Sequence, residues 1–205
     1  MKTLTLAAAI LAGLAAPSLA GGPTVVDADP VPAVAPAPVA AHDWSGAYVG
    51  LSYGWADAQN TYNTTGTFEF DEGSSTGIYA GYLMQSGNLV YGGELAFGKI
   101  RDVIDPSYPF SQYDRVVDLK ARLGFAANRV LFYGVLGYSD APFDDSGVGY
   151  DTKGLVTGLG ADFAVSQRVT MGLEYLHRDL SGDNGLGTSL DSSLDTVSLR
   201  VGLSF

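Results

Sequence analysis

The chain has no cysteine. That excludes a disulfide framework, a thiolate zinc site and the lipidated cysteine of a bacterial lipoprotein. Histidine is almost absent too, with only His42 and His177 among 205 residues. Charged residues make up 16%, and bases are the scarcer sign: 11 Lys and Arg against 22 Asp and Glu give a formal net charge of −11. A phosphate-binding face has to be basic, which argues against a nucleic-acid partner. No phosphate loop, dinucleotide fingerprint or metal motif is present. After Asp43 no window places apolar residues at three- and four-residue spacing with good caps, so no helix is expected there. Beyond the N-terminal leader no apolar run is long enough for a transmembrane helix.

What the chain has in abundance is glycine, 27 residues, and aromatic side chains, 11%. Mean hydropathy is +0.14 despite the acidity, so its apolar residues are numerous but dispersed. The opening MKTLTLAAAILAGLAAPSLA carries one cation (Lys2), an apolar stretch from Leu4 to Ala16, and Ser18-Leu19-Ala20 as a small-residue cleavage site. Residues 1–20 are therefore expected to be a secretory signal peptide, the stretch being too short and alanine-rich to span a bilayer. Residues 21–43 place Pro23, Pro30, Pro32, Pro36 and Pro38 among Ala and Val. Repeated proline removes backbone donors and favours extended polyproline II, so this piece is expected to be a linker ahead of one folded domain over 44–205.

That domain alternates with a period of two. Eight segments carry the pattern: 45–58, 75–85, 88–101, 113–126, 130–141, 153–166, 168–180 and 195–205. In the fourth, Val117, Leu119, Ala121, Leu123 and Phe125 alternate with Asp118, Lys120, Arg122 and Gly124. The last, DTVSLRVGLSF, keeps Val197, Leu199, Val201, Leu203 and Phe205 on one face up to its terminal residue. The fifth, VLFYGVLGYSDA, is apolar on both parities, so its facing is ambiguous. Connections alternate in length: short turns at 86–88, 127–129 and 166–168, and long acidic or Gly/Ser-rich stretches near 59–73, 103–112, 142–150 and 181–194. Short, long, short, long is the rhythm of an antiparallel meander with one tight rim.

The expected fold is all-β, a closed antiparallel eight-stranded up-and-down barrel, and the residue sizes make it a transmembrane one. An eight-stranded barrel has an interior only wide enough for side chains. The large Leu, Val, Phe, Tyr and Met side chains would overfill it, whereas facing lipid they cost little. The other face is small, and it carries Glu94, Asp118, Lys120, Arg122, Asp162, Glu174 and Arg200. Buried charge needs partners, so these seven are expected to form an ion-pair network inside the barrel. Arg178 shares their parity, but its place near a strand end puts it at the rim in water. Trp44, Tyr53, Trp55, Phe125, Phe163, Tyr175 and Phe205 lie near strand ends, where an interfacial girdle is expected.

The stretch DWSGAYVGLSYGW (Asp43–Trp55), with GIYAGYLMQ, GLGADFAVSQRVTMGLEYLHRDL and the terminal SLRVGLSF, resembles the small eight-stranded outer-membrane β-barrel family of Gram-negative bacteria. That family includes OmpA- and OmpX-like barrels and surface antigens of the "porin family". The resemblance covers roughly residues 44–205. It implies a cell outer-membrane location, termini in the periplasm, and four long loops outside. It also implies that Val197, Leu199, Val201, Leu203 and Phe205 form the C-terminal signal read by the barrel-assembly machinery. Outer-membrane lipid and lipopolysaccharide are the partners implied, with a monomeric barrel and no cofactor; an extracellular partner is not legible.

Catalysis, solute passage and a structural or surface-interaction role are the readings to separate. A lipid A deacylase needs a histidine base near a serine at the outer leaflet. His177 sits at the outer end of segment seven, but its context is His177-Arg178-Asp179, without the His-x-Ser of that resemblance, so no enzyme and no catalytic residue is expected. The loops carry Asp71, Glu72, Asp140, Asp144, Asp145, Asp151, Asp179, Asp183, Asp191 and Asp195, but Asp183-Asn184-Gly185 is too short a fragment of a calcium loop. Lys99 and Arg101, at the outer end of segment three, are placed to meet lipopolysaccharide phosphates. The expectation is a structural and surface-interaction protein, with a small-solute porin or ligand-uptake barrel as the alternative and a lipid A-modifying enzyme ranked behind it.

Overall fold

The computed structural model describes residues 42–63, 66–69, 72–101, 112–113, 115–145, 148–183 and 188–205. The leader, the proline tract up to residue 41, Asp71 and Asn184-Gly185 lie outside them. Four strands make the first half: β1 (Gly46–Tyr62), β2 (Gly73–Ser86), β3 (Leu89–Arg101) and β4 (Val116–Ala127). Four more follow: β5 (Val130–Asp140), β6 (Lys153–Ala164), β7 (Val169–Asp183) and β8 (Ser189–Ser204). Every strand pairs antiparallel with its chain neighbour, and β8 returns to β1. That closure runs from Tyr48↔Ser204 to Tyr62↔Leu190, and the Phe205 N–H donates to the Ala47 carbonyl at 3.0 Å. The barrel sheet therefore has no free edge, which is what a spanning sheet in lipid requires.

The short turns fall where the sequence places them. Gly87 and Asn128 take left-handed backbone (φ 61° and 56°), the conformation a two-residue hairpin needs and these residue types tolerate. The long stretches are less loop-like than expected. β1 runs to Tyr62, and β7 and β8 reach Asp183 and Ser189, so two of the four are largely strand. A short strand, Gly66–Glu69, folds back on β1. Gln112–Tyr113, Phe143–Asp145 and Val148–Tyr150 make a separate three-stranded sheet from two different loops. Alternation continues through these extensions, and pairing satisfies their backbone better than isolated loops would.

On the outside of β1, Val49, Leu51, Tyr53 and Trp55 are exposed, then Asp57, Gln59 and Thr61 follow. On β8, Phe205 to Val197 are exposed at the same parity before Asp195, Ser193 and Asp191, and the change falls at the same height, because Trp55 pairs Val197 and Asp57 pairs Asp195. From Ala47 to Trp55 and from Val197 to Phe205 the apolar band spans nine residues of each strand, the length a tilted strand needs to cross a bilayer. β1, with 17 residues, and β8, with 16, overrun it only at the long-hairpin end. The ambiguous fifth segment resolves with Leu131, Tyr133 and Val135 inside and Phe132, Leu136 and Tyr138 outside.

The interior holds more apolar bulk than the small-and-charged lining expected of it. One cluster at the short-turn end includes Trp44, Leu83, Val90, Ala126, Leu131 and Ala164. Another, at the opposite end, includes Ala56, Ile100, Val116, Leu180, Leu190 and Leu194. The charges lie between these two. Three inward tyrosines find room because glycines on neighbouring strands leave it: a Cβ at Gly81 would lie 2.5 Å from the Tyr48 hydroxyl, one at Gly50 2.2 Å from the Tyr79 ring, and one at Gly160 2.3 Å from the Tyr133 ring.

Candidate functional site

Parity turns Glu94, Asp118, Lys120, Arg122, Asp162, Glu174 and Arg200 inward, and all seven are buried. Six of them meet in one hub. The Glu94 carboxylate is 2.7 Å from Lys120 Nζ, 3.2 Å from Arg122 Nη1 and 2.5 Å from Arg200 Nη2. Glu174 takes the other side of Lys120 at 2.8 Å and of Arg200 at 2.5 Å, while Asp162 accepts from Arg122 at 2.6 Å. The seventh, Asp118, stands apart from the hub and pairs with Arg178 at 2.7 Å.

Arg178 is thus a correction. It is not at the rim in water but 5% exposed, and its guanidinium also donates to the Thr196 hydroxyl at 3.1 Å. The strand overrun explains this: β7 continues past Arg178 to Leu180, which is itself capped by Leu190 and Leu194, so no water front exists at that height. With Arg178 counted, the lumen holds four acids and four bases, a neutral set.

The aromatic members carry no charge signal in the sequence. Tyr48 donates to Glu94 Oε2 at 2.8 Å, and Tyr133 to Glu174 Oε2 at 3.2 Å. The Arg122 guanidinium lies 3.7 Å from the Tyr133 ring centroid and that of Arg200 3.8 Å from the Tyr79 ring. Each of the eight strands therefore contributes a side chain to the hub. Beside it, between the hub and the Asp118–Arg178 pair, is a cavity of about 40 Å³, room for a water or two and for no metabolite.

Two other expected positions differ. Trp44 is not part of an outer girdle: it is 7% exposed, stacked edge-on to His42 at 4.7 Å, inside the short-turn mouth. His42, expected in the linker, is buried, and its N–H donates to the Asn128 carbonyl at 3.2 Å. Among the described residues, packing thus reaches back to His42, which meets the carbonyl of a barrel turn. Burial pushes the His42 imidazole below its ordinary value and Arg129 adds to that, while Asp43 opposes it. The docked form is the neutral one. Its contribution is complete above the ordinary histidine value of ~6.5 and is lost as pH falls through the lower folded value. In Trp55→Phe, which leaves Trp44 as the single tryptophan, emission should shift to the red on acidification below the ordinary histidine value of ~6.5; a spectrum unchanged throughout the acid range in which the barrel stays folded would contradict the docking.

His177 faces outward above the apolar band. Its Nδ1 is 2.8 Å from Asp195 Oδ1 and its Nε2 3.2 Å from Asp179 Oδ1, and the Tyr175 hydroxyl donates to Asp195 at 2.7 Å. Both imidazole nitrogens are engaged by carboxylates, an arrangement that pins β7 to β8 and leaves no nitrogen directed at a serine.

Residues 30–205 match the model of the outer membrane protein beta-barrel domain. A 22 kDa outer membrane protein of Rhizobium leguminosarum bv. viciae is 30% identical over 175 residues, covering 80% of this chain and 78% of that one. A 31 kDa outer-membrane immunogenic protein of Brucella melitensis is 27% identical over 242 residues, covering 100% and 99%. Among solved structures, the crystal structure of Neisserial surface protein A covers 78% of this chain and 98% of its own at 21% identity, with a TM-score of 0.52. That last likeness is one of fold.

Proposed function

Given that the chain belongs to the outer membrane protein beta-barrel domain family and is a protein of the outer membrane, we propose that it acts as a closed, non-conducting barrel with a structural and surface-interaction role. The observation that carries this reading is the hub: side chains from all eight strands cross the lumen, with apolar clusters on both sides of it. A solute would have to break several buried ion pairs at once, each held in a dry setting where one lost partner is costly. The long hairpins then face the cell exterior as the presenting surface, and the name of the Brucella relative, an immunogenic protein, agrees with such exposure. Lipopolysaccharide surrounds the band, the barrel works as a monomer, and Val197, Leu199, Val201, Leu203 and Phe205 serve as the address read by the assembly machinery.

Reconstitution in planar bilayers tests the central claim. The expected result is no stepwise conductance at moderate voltage. Steady, uniform single-channel steps would overturn the closed barrel in favour of solute passage.

A further inference from the structure

We infer that the external end of the β1–β2–β3 wall is a binding site for one phosphorylated, acylated sugar lipid of the outer leaflet, a proposal that rests on the long hairpins facing the cell exterior. The register places three unlike surfaces side by side. Tyr53 pairs with Thr76 and Thr76 with Lys99; one step further out, Trp55 pairs with Ser74 and Ser74 with Arg101. Extending the Gly98↔Val116 register by one residue sets Arg115 opposite Lys99. β2 thus forms a hydroxyl-bearing floor of short side chains. Exposed aromatic rings wall it on one side and exposed cations on the other.

Beneath this trench the wall is apolar and concave. Two adjoining hollows share Leu51, Ile78, Phe97 and Val201, one deepened where Ala80 is short and the other ending at Tyr53, Thr76 and Lys99. The shape is a trough, apolar below and cationic at its top. An acyl chain fits the trough and a phosphate the cations, which donate strong charge-assisted hydrogen bonds to phosphate. The aromatic wall calls for a ring to stack upon, and the hydroxyl floor for polar substituents. A phosphoglycerol or phosphoethanolamine head has no ring; a phosphorylated amino-sugar with acyl chains has every part.

Charge distribution supports the assignment. In a chain of net charge −11, Lys2 lies outside the described residues, four bases lie in the lumen, Arg129 and Arg168 lie at the short turns, and Lys153 pairs with Asp140 at 3.3 Å. Lys99, Arg101 and Arg115 remain, gathered on one sector, and among the described residues none pairs with a carboxylate. Further out than the Trp55–Val197 pair, the outer face of β1, β7 and β8 carries Asp57, Asp179 and Asp195 instead.

The test is native mass spectrometry of the folded full chain in detergent, titrated separately with bis-phosphorylated lipid A, with dephosphorylated lipid A and with phosphatidylglycerol. One lipid A per barrel should be retained. Removing its phosphates, or substituting K99Q, R101Q and R115Q together, should weaken it roughly a hundredfold, since a cation at an anionic lipid surface contributes about fivefold. Thr76→Trp, which fills the trench, should abolish retention, and Lys153→Gln should leave it unchanged; heat-shifted gel migration verifies that each variant is folded. Equal retention of lipid A by wild type and the triple variant would overturn the site, as would equally tight phosphatidylglycerol. Orientation is read separately: a cysteine at Ser189→Cys, unique in this chain, should react with an impermeant maleimide in intact cells. Failure there would sink the exterior hairpins without altering the detergent titration.

Discussion

Replacing Glu94 with alanine should destabilise the barrel by about 3–5 kcal/mol, the cost of leaving buried charge without its partner. Glu94 is the one carboxylate in contact with Lys120, Arg122 and Arg200 together, and it also accepts from Tyr48. Its loss leaves four buried bases against three acids, between apolar clusters that keep bulk water away. Urea unfolding of the micelle-embedded protein, followed by gel migration, measures the change. A second variant isolates the cause. Glu94→Leu with Arg200→Met removes one charge of each sign and restores neutrality, so it should be less destabilised than the sum of the two single changes. Such non-additivity is the mark of residues in one network. A Glu94→Ala loss below about 1 kcal/mol, or strict additivity in the double variant, would show that water reaches the hub and that it does not seal the lumen.

Alternation alone carried the sequence to the inward set of charges, because a period of two assigns a face to every residue once one face is known. What alternation cannot supply is depth along the strand. Arg178 has the parity of Glu174, and only the continuation of β7 to Asp183 makes its position an interior one. The same missing coordinate hid the second apolar cluster, since Leu180, Leu190 and Leu194 lie in stretches rich in Asp, Ser and Gly that resemble solvated loops. β5 was illegible for another reason. Leu131, Tyr133 and Val135 fill space opposite glycines on adjacent strands, so both of its faces are large, and only the neighbours decide which points inward. His42 and Trp44 carry no periodic signal at all. His42 is held by the carbonyl of the Asn128 turn, and Trp44 by the Gln85 side chain and the apolar cluster at that mouth, all brought together by closure of the barrel.

Phe205→Ala should remove most of the protein from outer-membrane fractions while changing the stability of purified, refolded barrel by less than about 1 kcal/mol. The two halves of this expectation come from one observation. In the finished barrel Phe205 is 77% exposed. What Phe205 gives to the fold is backbone: its N–H closes on Ala47, and its carbonyl lies 2.8 Å from where a Cβ on Gly46 would be. Alanine keeps that backbone contact. A large, exposed apolar side chain that contributes so little to the folded state is explained if it acts earlier, when β8 is still an unpaired edge. Pulse-chase fractionation set beside urea unfolding separates assembly from stability. Equal outer-membrane levels of wild type and Phe205→Ala would remove the recognition role. A stability loss as large as that of Glu94→Ala would make Phe205 a structural residue instead. The expected pairing, severe loss in cells and near-normal unfolding in micelles, fits only a residue that is read before the barrel closes.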